Sequence, residues 1–153
     1  MPLLPVSPRR QRQQSDCLIA CAAMVLDYLQ VPFHYDRLPR LLRAEAHGTV
    51  FSHLQYLASL GVSVWVGKGD MEALHSHLDR GLPAIVAVET GELTSYWQEA
   101  VSHAVVVVGM DEAFVYVNDP AFETAPQQVP LAEFHLAWQE QDYRYAVIGL
   151  GRG

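Results

Sequence analysis

Cys17 heads an apolar run in "QRQQSDCLIACAAMVLDYL", Gln11 to Leu29. Taken alone, a cysteine there reads first as a buried, inert thiol, since free cysteine is among the most buried residue types. As a nucleophile it must be a thiolate. A helix N-terminus favours that anion through unpaired N–H groups and the helix dipole. Asp16 opposes it, so a histidine partner is required. His103 stands out among the seven histidines because it opens the strand-like run "SHAVVVVGM". At a strand mouth its ring is fixed and keeps one edge free. A third group must orient that ring. Asp119, before Pro120 in "VNDPA", is the favoured residue, and Asn118 beside it is the alternative.

Two further requirements test this set. If the turn after the His103 strand is centred on Asp111 or Glu112, positions 103 and 119 share a face and lie within cross-strand reach. A two-residue loop centred between Asp111 and Glu112 puts them on opposite faces. Only an odd loop or a bulge supports the arrangement. Acyl transfer also needs donors for an oxyanion. Gln11, six residues ahead of Cys17, could supply one beside the Cys17 N–H. Gln13 and Gln14 are rivals, separated from it only by spacing.

The elements that must position these residues follow from periodicity. Met1–Arg10 is an extended lead-in broken by prolines. Asp16–Gln30 has helical spacing, with Ser15 or Asp16 as cap and Pro32 beyond it. Short helices are expected over Asp36–Ala44 and Val50–Leu60, the latter stopped by Gly61, and another over Asp70–Gly81. Strands are expected at Val62–Gly67, Leu82–Val88, Ser102–Met110, Phe114–Asp119 and Arg144–Leu150, with a last helix at Pro130–Gln141. Helices first and strands later give an α+β class, an antiparallel sheet under a helical layer.

The bulk properties narrow the partners. A chain of 153 residues, half of them hydrophobic, reads as one domain spanning 1–153 with its own core. The net charge of -7 argues against nucleic acid as partner. No run is long enough for membrane insertion. The proline-broken N-terminus lacks the order of a signal peptide, so a cytoplasmic location is expected. The two cysteines, Cys17 and Cys21, are one helical turn apart and poorly placed for a disulfide; Cys21 reads as packing. No cofactor is expected. His75 and His77 face different sides of a helix and lack a third ligand, so no metal site is expected. His47, His53, His34 and His135 carry no pattern. Tyr96 and Trp97, just before His103, read either as a cleft wall or as ordinary loop anchors.

Taken together, Gln11, Cys17, Ala20-Cys21 and Met24 resemble the Gln-x5-Cys-Gly-x-Ala-Cys signature of C39-type, papain-like cysteine peptidases. "SHAVVVVGM" is similar to that family's His strand, and "VNDPA" to its Asp-Pro segment. "GTVFSHLQYLASLGV" extends the likeness over most of the chain. The resemblance implies a papain-like fold, with a nucleophile helix packed on an antiparallel sheet. It implies Cys17 as nucleophile, His103 as base oriented by Asp119, and Gln11 at the oxyanion. It also implies a peptide or protein substrate, with leader removal after a Gly-Gly-like site and association with an exporter or precursor peptide. One position departs: the family Gly after the nucleophile is Leu18, which could narrow the cleft, and Trp97 could form its wall. Acyl transfer to an amine, or a non-catalytic peptide-binding module on the same fold, remain the alternatives.

Overall fold

The computed structural model describes residues 3–151. Its centre is a six-stranded antiparallel sheet built from β1 (Val62–Lys68), β2 (Ala84–Glu89), β3 (Ser102–Met110), β4 (Phe114–Asn118), β5 (Gln127–Pro130) and β6 (Arg144–Leu150). The strand order is β1-β6-β2-β3-β4-β5. β2 and β3 are nearly continuous apolar runs, as strands covered on both faces must be.

Two core layers cover the sheet. On one face, α1 (Cys17–Tyr28) and a 3-10 helix (Phe51–Leu60) pack on Ile85, Ala104, Val106, Val108, Ala146 and Ile148. On the other, α3 (Met71–Asp79) and α4 (Leu131–Gln139) pack on Val86, Val88, Val105 and Val107. The α+β class holds, with helices on both faces rather than in one layer. α1 is buried from Leu18 through Leu26, so it is a central element and not an amphipathic surface helix.

Boundaries moved for local reasons. α1 closes at Tyr28, and Gln30 takes a left-handed φ of 59° before Pro32. The expected helix over 36–44 shortens to a 3-10 turn (Tyr35–Arg37) and a four-residue α2 (Leu38–Leu41). The segment 51–60 is 3-10 throughout, with Leu54 and Leu57 inward, three apart as a three-residue turn demands. β5 lies in a stretch where no strand was expected, and takes in Pro130 from the start of the expected last helix. Its Val129 is buried opposite Val115 of β4, a contact that no local pattern announces.

The β3–β4 turn decides the site. Asp111 Oδ1 accepts the Ala113 and Phe114 amides at 2.9 and 2.8 Å, shaping the turn. Met110 then pairs with Val115 and Gly109 with Tyr116. That turn is centred between Glu112 and Ala113, not on Asp111 or Glu112. The register shifts at Val108, after which Val107 faces Val117 and Val106 faces Asn118. The bulge carbonyl of Val108 accepts the Leu4 amide at 2.8 Å, so the lead-in straps the irregularity.

Candidate active site

Cys17 is the first residue of α1 and half-buried. Asp16 occupies the cap position but makes no side-chain cap bond, leaving the first-turn amides without a side-chain acceptor from it. Burial of the next nine residues fixes where this helix end sits. His103 is the second residue of β3, paired with Val88 of β2, and is 8% exposed. The rigid pairing on a central strand fixes its backbone.

Asp119 follows the last residue of β4. Its Oδ1 lies 2.7 Å from His103 Nε2, and the two side chains are 4% and 0% exposed. Oδ1 also accepts the Ala121 amide at 3.0 Å. Oδ2 accepts the Tyr96 hydroxyl and the Trp97 indole N–H, both at 2.8 Å. Four donors saturate the four acceptor positions of an ionised carboxylate. Burial would raise the Asp119 carboxyl, but the hydrogen bond and charge of His103, then the Ala121 and Trp97 donors, hold it below its ordinary value. Burial would likewise lower His103. The hydrogen bond and charge of Asp119, with the neighbouring Cys17, overcome this and raise the imidazole to about 9. With Nε2 committed to Asp119, Nδ1 is the nitrogen left to serve the thiol.

Gln11 reaches the same cavity in a restrained pose. Its amide N–H donates to Pro120 O at 2.9 Å, tying the lead-in to the residue after Asp119. Its Nε2 donates to the carbonyls of Gln13 and Gln14 at 3.1 and 3.0 Å, so both carboxamide hydrogens are engaged. Oε1 is buried without a hydrogen-bond partner among the described residues. Gln13 and Gln14 border the cavity too, but their carbonyls serve here to hold Gln11.

The cavity has a volume of about 680 Å³ and is open to solvent between the two walls. Cys17, His103, Gln11 and Trp97 line it, with Ala87 and Ala104 as small residues on the sheet and His47, Gly48 and Thr49 opposite. Leu18 borders it yet is only 3% exposed, in the core layer under α1. Trp97 stands edge-on to the His103 ring, centroids 4.9 Å apart, so it is both a wall and a neighbour of the imidazole.

The remaining candidates lie elsewhere. Asn118 Nδ2 donates to Val6 O at 2.9 Å, away from the His103 ring. Cys21 is fully buried, and burial pushes its thiol well up, with the charges of Cys17 and Asp119 adding to the effect. His75 pairs with Asp79, while His77 contacts Tyr145 and Arg80. Among the described residues no cluster of three or more His, Cys, Asp or Glu is placed to hold a metal. No described helix is long and apolar enough to cross a membrane. Sequence reasoning missed the Tyr96 bond to Asp119. The only local signal was the pair of aromatics just ahead of His103.

Comparison with known proteins bears on the fold and the family. No curated protein matches the chain in sequence. The peptidase domain of Streptococcus ComA, a bi-functional ABC transporter of a quorum sensing pathway, superposes with a TM-score of 0.77 at 20% identity, covering 95% of this chain and 98% of that one. A double glycine motif protease from an AMS/PCAT transporter, in complex with its leader peptide, gives 0.77 at 18% identity, covering 97% and 94%. A Bacillus anthracis chain assigned as a C39-like peptidase gives 0.77 at 18%, covering 99% and 98%. At such identities these likenesses establish the fold, that of papain-like C39 peptidase domains. A sequence model of the Peptidase_C39 like family matches residues 3–146, taking in α1, β3 and β4 together. The chain therefore belongs to the Peptidase_C39 like family.

Proposed function

We propose that this chain is a single-domain cysteine peptidase that cleaves peptide bonds through Cys17, His103 and Asp119. The observation that carries the reading is the position of His103, hydrogen-bonded to Asp119 at 2.7 Å and lining the same open cavity as Cys17. In the reaction the Cys17 thiolate attacks the scissile carbonyl and forms a C–S bond. The negative charge moves to the carbonyl oxygen beside the α1 N-terminus. His103 gives its proton to the leaving amine, and the C–N bond breaks. Water then attacks the thioester, His103 takes its proton, and the C–S bond breaks to release the acid with the thiolate restored. Asp119 keeps the ring in one tautomer and balances its charge. Gln11 joins as an oxyanion donor once one of its hydrogens leaves the Gln13 or Gln14 carbonyl.

The substrate that suits this cleft is an extended peptide. The small floor at Ala87 and Ala104 accommodates a chain with small side chains near the bond, as a Gly-Gly-like leader site has. Processing of a precursor destined for an exporter, in the cytoplasm where both cysteines stay reduced, is the role this chemistry fits. The test is incubation with a diverse peptide mixture, with cut sites read by mass spectrometry for wild type and Cys17→Ala. Cleavage after small residues that vanishes in the variant supports the reading. Equal cleavage by both proteins, or none by either, rejects it.

A further inference from the structure

The turn before β3 carries two donors to one buried carboxylate oxygen, which is more than a cleft wall requires. Resting on the proposed peptidase reading, we propose that Tyr96 and Trp97 are positioning residues. They lock Asp119, and through it the His103 ring, and Glu133 of α4 anchors the turn that presents them.

Each link is a short contact. Glu133 Oε1 accepts the Thr94 hydroxyl and the Ser95 amide, both at 3.1 Å, and its Oε2 accepts the Ser95 hydroxyl at 2.5 Å. Within the turn, Leu93 O accepts the Trp97 and Tyr96 amides at 2.9 and 3.3 Å, and Leu93 itself is 1% exposed. At the far end, Thr90 Oγ1 donates to Glu99 O at 2.7 Å and accepts the Val101 amide at 2.7 Å. A segment without α-helix or strand is thus tied at both ends and in its middle. Phe122, three residues past Asp119, packs edge-on against both rings, with centroids 5.2 Å from Tyr96 and 5.2 Å from Trp97.

The consequence is directional. His103 and Ala121 hold Oδ1, whereas among the described residues Tyr96 and Trp97 alone hold Oδ2. Without the second pair the carboxylate can rotate about its Cβ–Cγ bond, and the ring it orients can rotate with it. Burial and the neighbouring Asp119 push the Tyr96 hydroxyl up, so it remains a donor across the working pH range. The charged or titrating groups that face this cluster are Asp119, Cys17 and His103 themselves and Glu133 beyond Tyr96. α4, which otherwise packs on the sheet face away from α1, thereby reaches the reaction through one carboxylate.

Tyr96→Phe removes only the hydroxyl and keeps the ring against Phe122. Trp97→Phe removes the indole N–H and keeps an aromatic edge near His103. Hydrogen bonds to charged groups are worth enough that each loss should lower kcat about tenfold with KM within about twofold. Glu133→Gln should move kcat the same way by a smaller factor. Melting temperatures are taken alongside, and if Trp97→Phe fails to fold, Tyr96→Phe decides alone. A rise in KM at unchanged kcat makes the pair an ordinary cleft wall and overturns the proposal. So does a fall in melting temperature alone. A readout independent of peptidase activity is the His103 imidazole titration, followed by NMR in a Cys17→Ala background. Adding Tyr96→Phe should shift its midpoint upward, as Asp119 concentrates its charge on the ring. An unmoved midpoint sinks the positioning role, whereas cleavage by Cys17→Ala sinks only the peptidase reading.

Discussion

His103 and Asp119 share a face of the β3–β4 pair because Val108 is an extra residue between their paired positions. Near the turn, Met110 faces Val115. Extended unchanged, that register sets Asp119 opposite Val106 and turns the two side chains to opposite faces. Past the bulge, Val106 faces Asn118, so Asp119 falls opposite Val105, a diagonal step from His103. The 2.7 Å contact depends on this one-residue shift.

Asp119 and its neighbour Asn118 should separate chemistry from stability. Asn118 is 2% exposed and holds the Val6 carbonyl, so Asn118→Ala should cost about 1–3 kcal/mol, with kcat little changed below the melting transition. Asp119→Asn keeps the volume but loses the carboxylate that fixes the ring tautomer, and kcat should fall at least about 100-fold. Denaturant melts and initial rates on both variants check this. The reverse pattern would make Asn118 the orienting residue.

The His103–Asp119 pair also sets a pH dependence. The folded imidazole lies at about 9, above its ordinary 6.5. The stabilisation it represents is therefore complete below about pH 6.5 and is lost as pH rises through about 9. Between pH 6 and 10 the melting temperature of the wild type should fall more steeply than that of His103→Ala. Parallel curves would remove the ion pair as the cause. Asp119, held low, contributes in the opposite sense, losing its stabilisation only in acid below its ordinary value of 3.8.

Gln11 is held by Gln13 and Gln14 in the resting site, so its contribution should be confined to the transition state. Gln11→Ala should lower kcat about 100-fold while leaving KM nearly constant, the signature of a lost oxyanion donor. Steady-state kinetics on one cleaved peptide decide it. An unchanged kcat would leave the Cys17 amide and the helix end as the only oxyanion donors.

Leu18 follows Cys17 in α1, and its 3% exposure predicts a packing role. Leu18→Ala should cost about 2–5 kcal/mol, as deleting a core leucine does. Its cut sites on a peptide mixture should match those of the wild type. Altered cut sites at unchanged stability would return Leu18 to the substrate cleft.

Much of the candidate site was legible because its parts are local patterns. A cysteine heading an apolar helix, a histidine opening a valine run and an aspartate before proline are each readable within a few residues. The choice of Asp119 over Asn118 rested on the same local marks; Asp119 bonds His103, and Asn118 bonds Val6. What local pattern could not supply was pairing. β5 exists because Val129 meets Val115 across strands, and the 3-10 segment 51–60 buries only Leu54 and Leu57. Leu18 borders the cavity as its place after Cys17 suggested, yet the packing of α1 on the sheet leaves it only 3% exposed.

By itself, then, the sequence determined most of the element types, the α+β class and the identity of Cys17, His103 and Asp119 as candidates, since periodicity and chemistry are properties of neighbouring residues. Only the tertiary structure decided that His103 and Asp119 meet beside the cavity that Cys17 lines, that Gln11 is tethered by Gln13 and Gln14, and that Tyr96 and Trp97 close on Asp119 Oδ2. The physical reason lies in register and burial. A single inserted residue at Val108 reverses which face a side chain occupies, and a buried carboxylate takes its donors from whichever distant segments packing brings within reach.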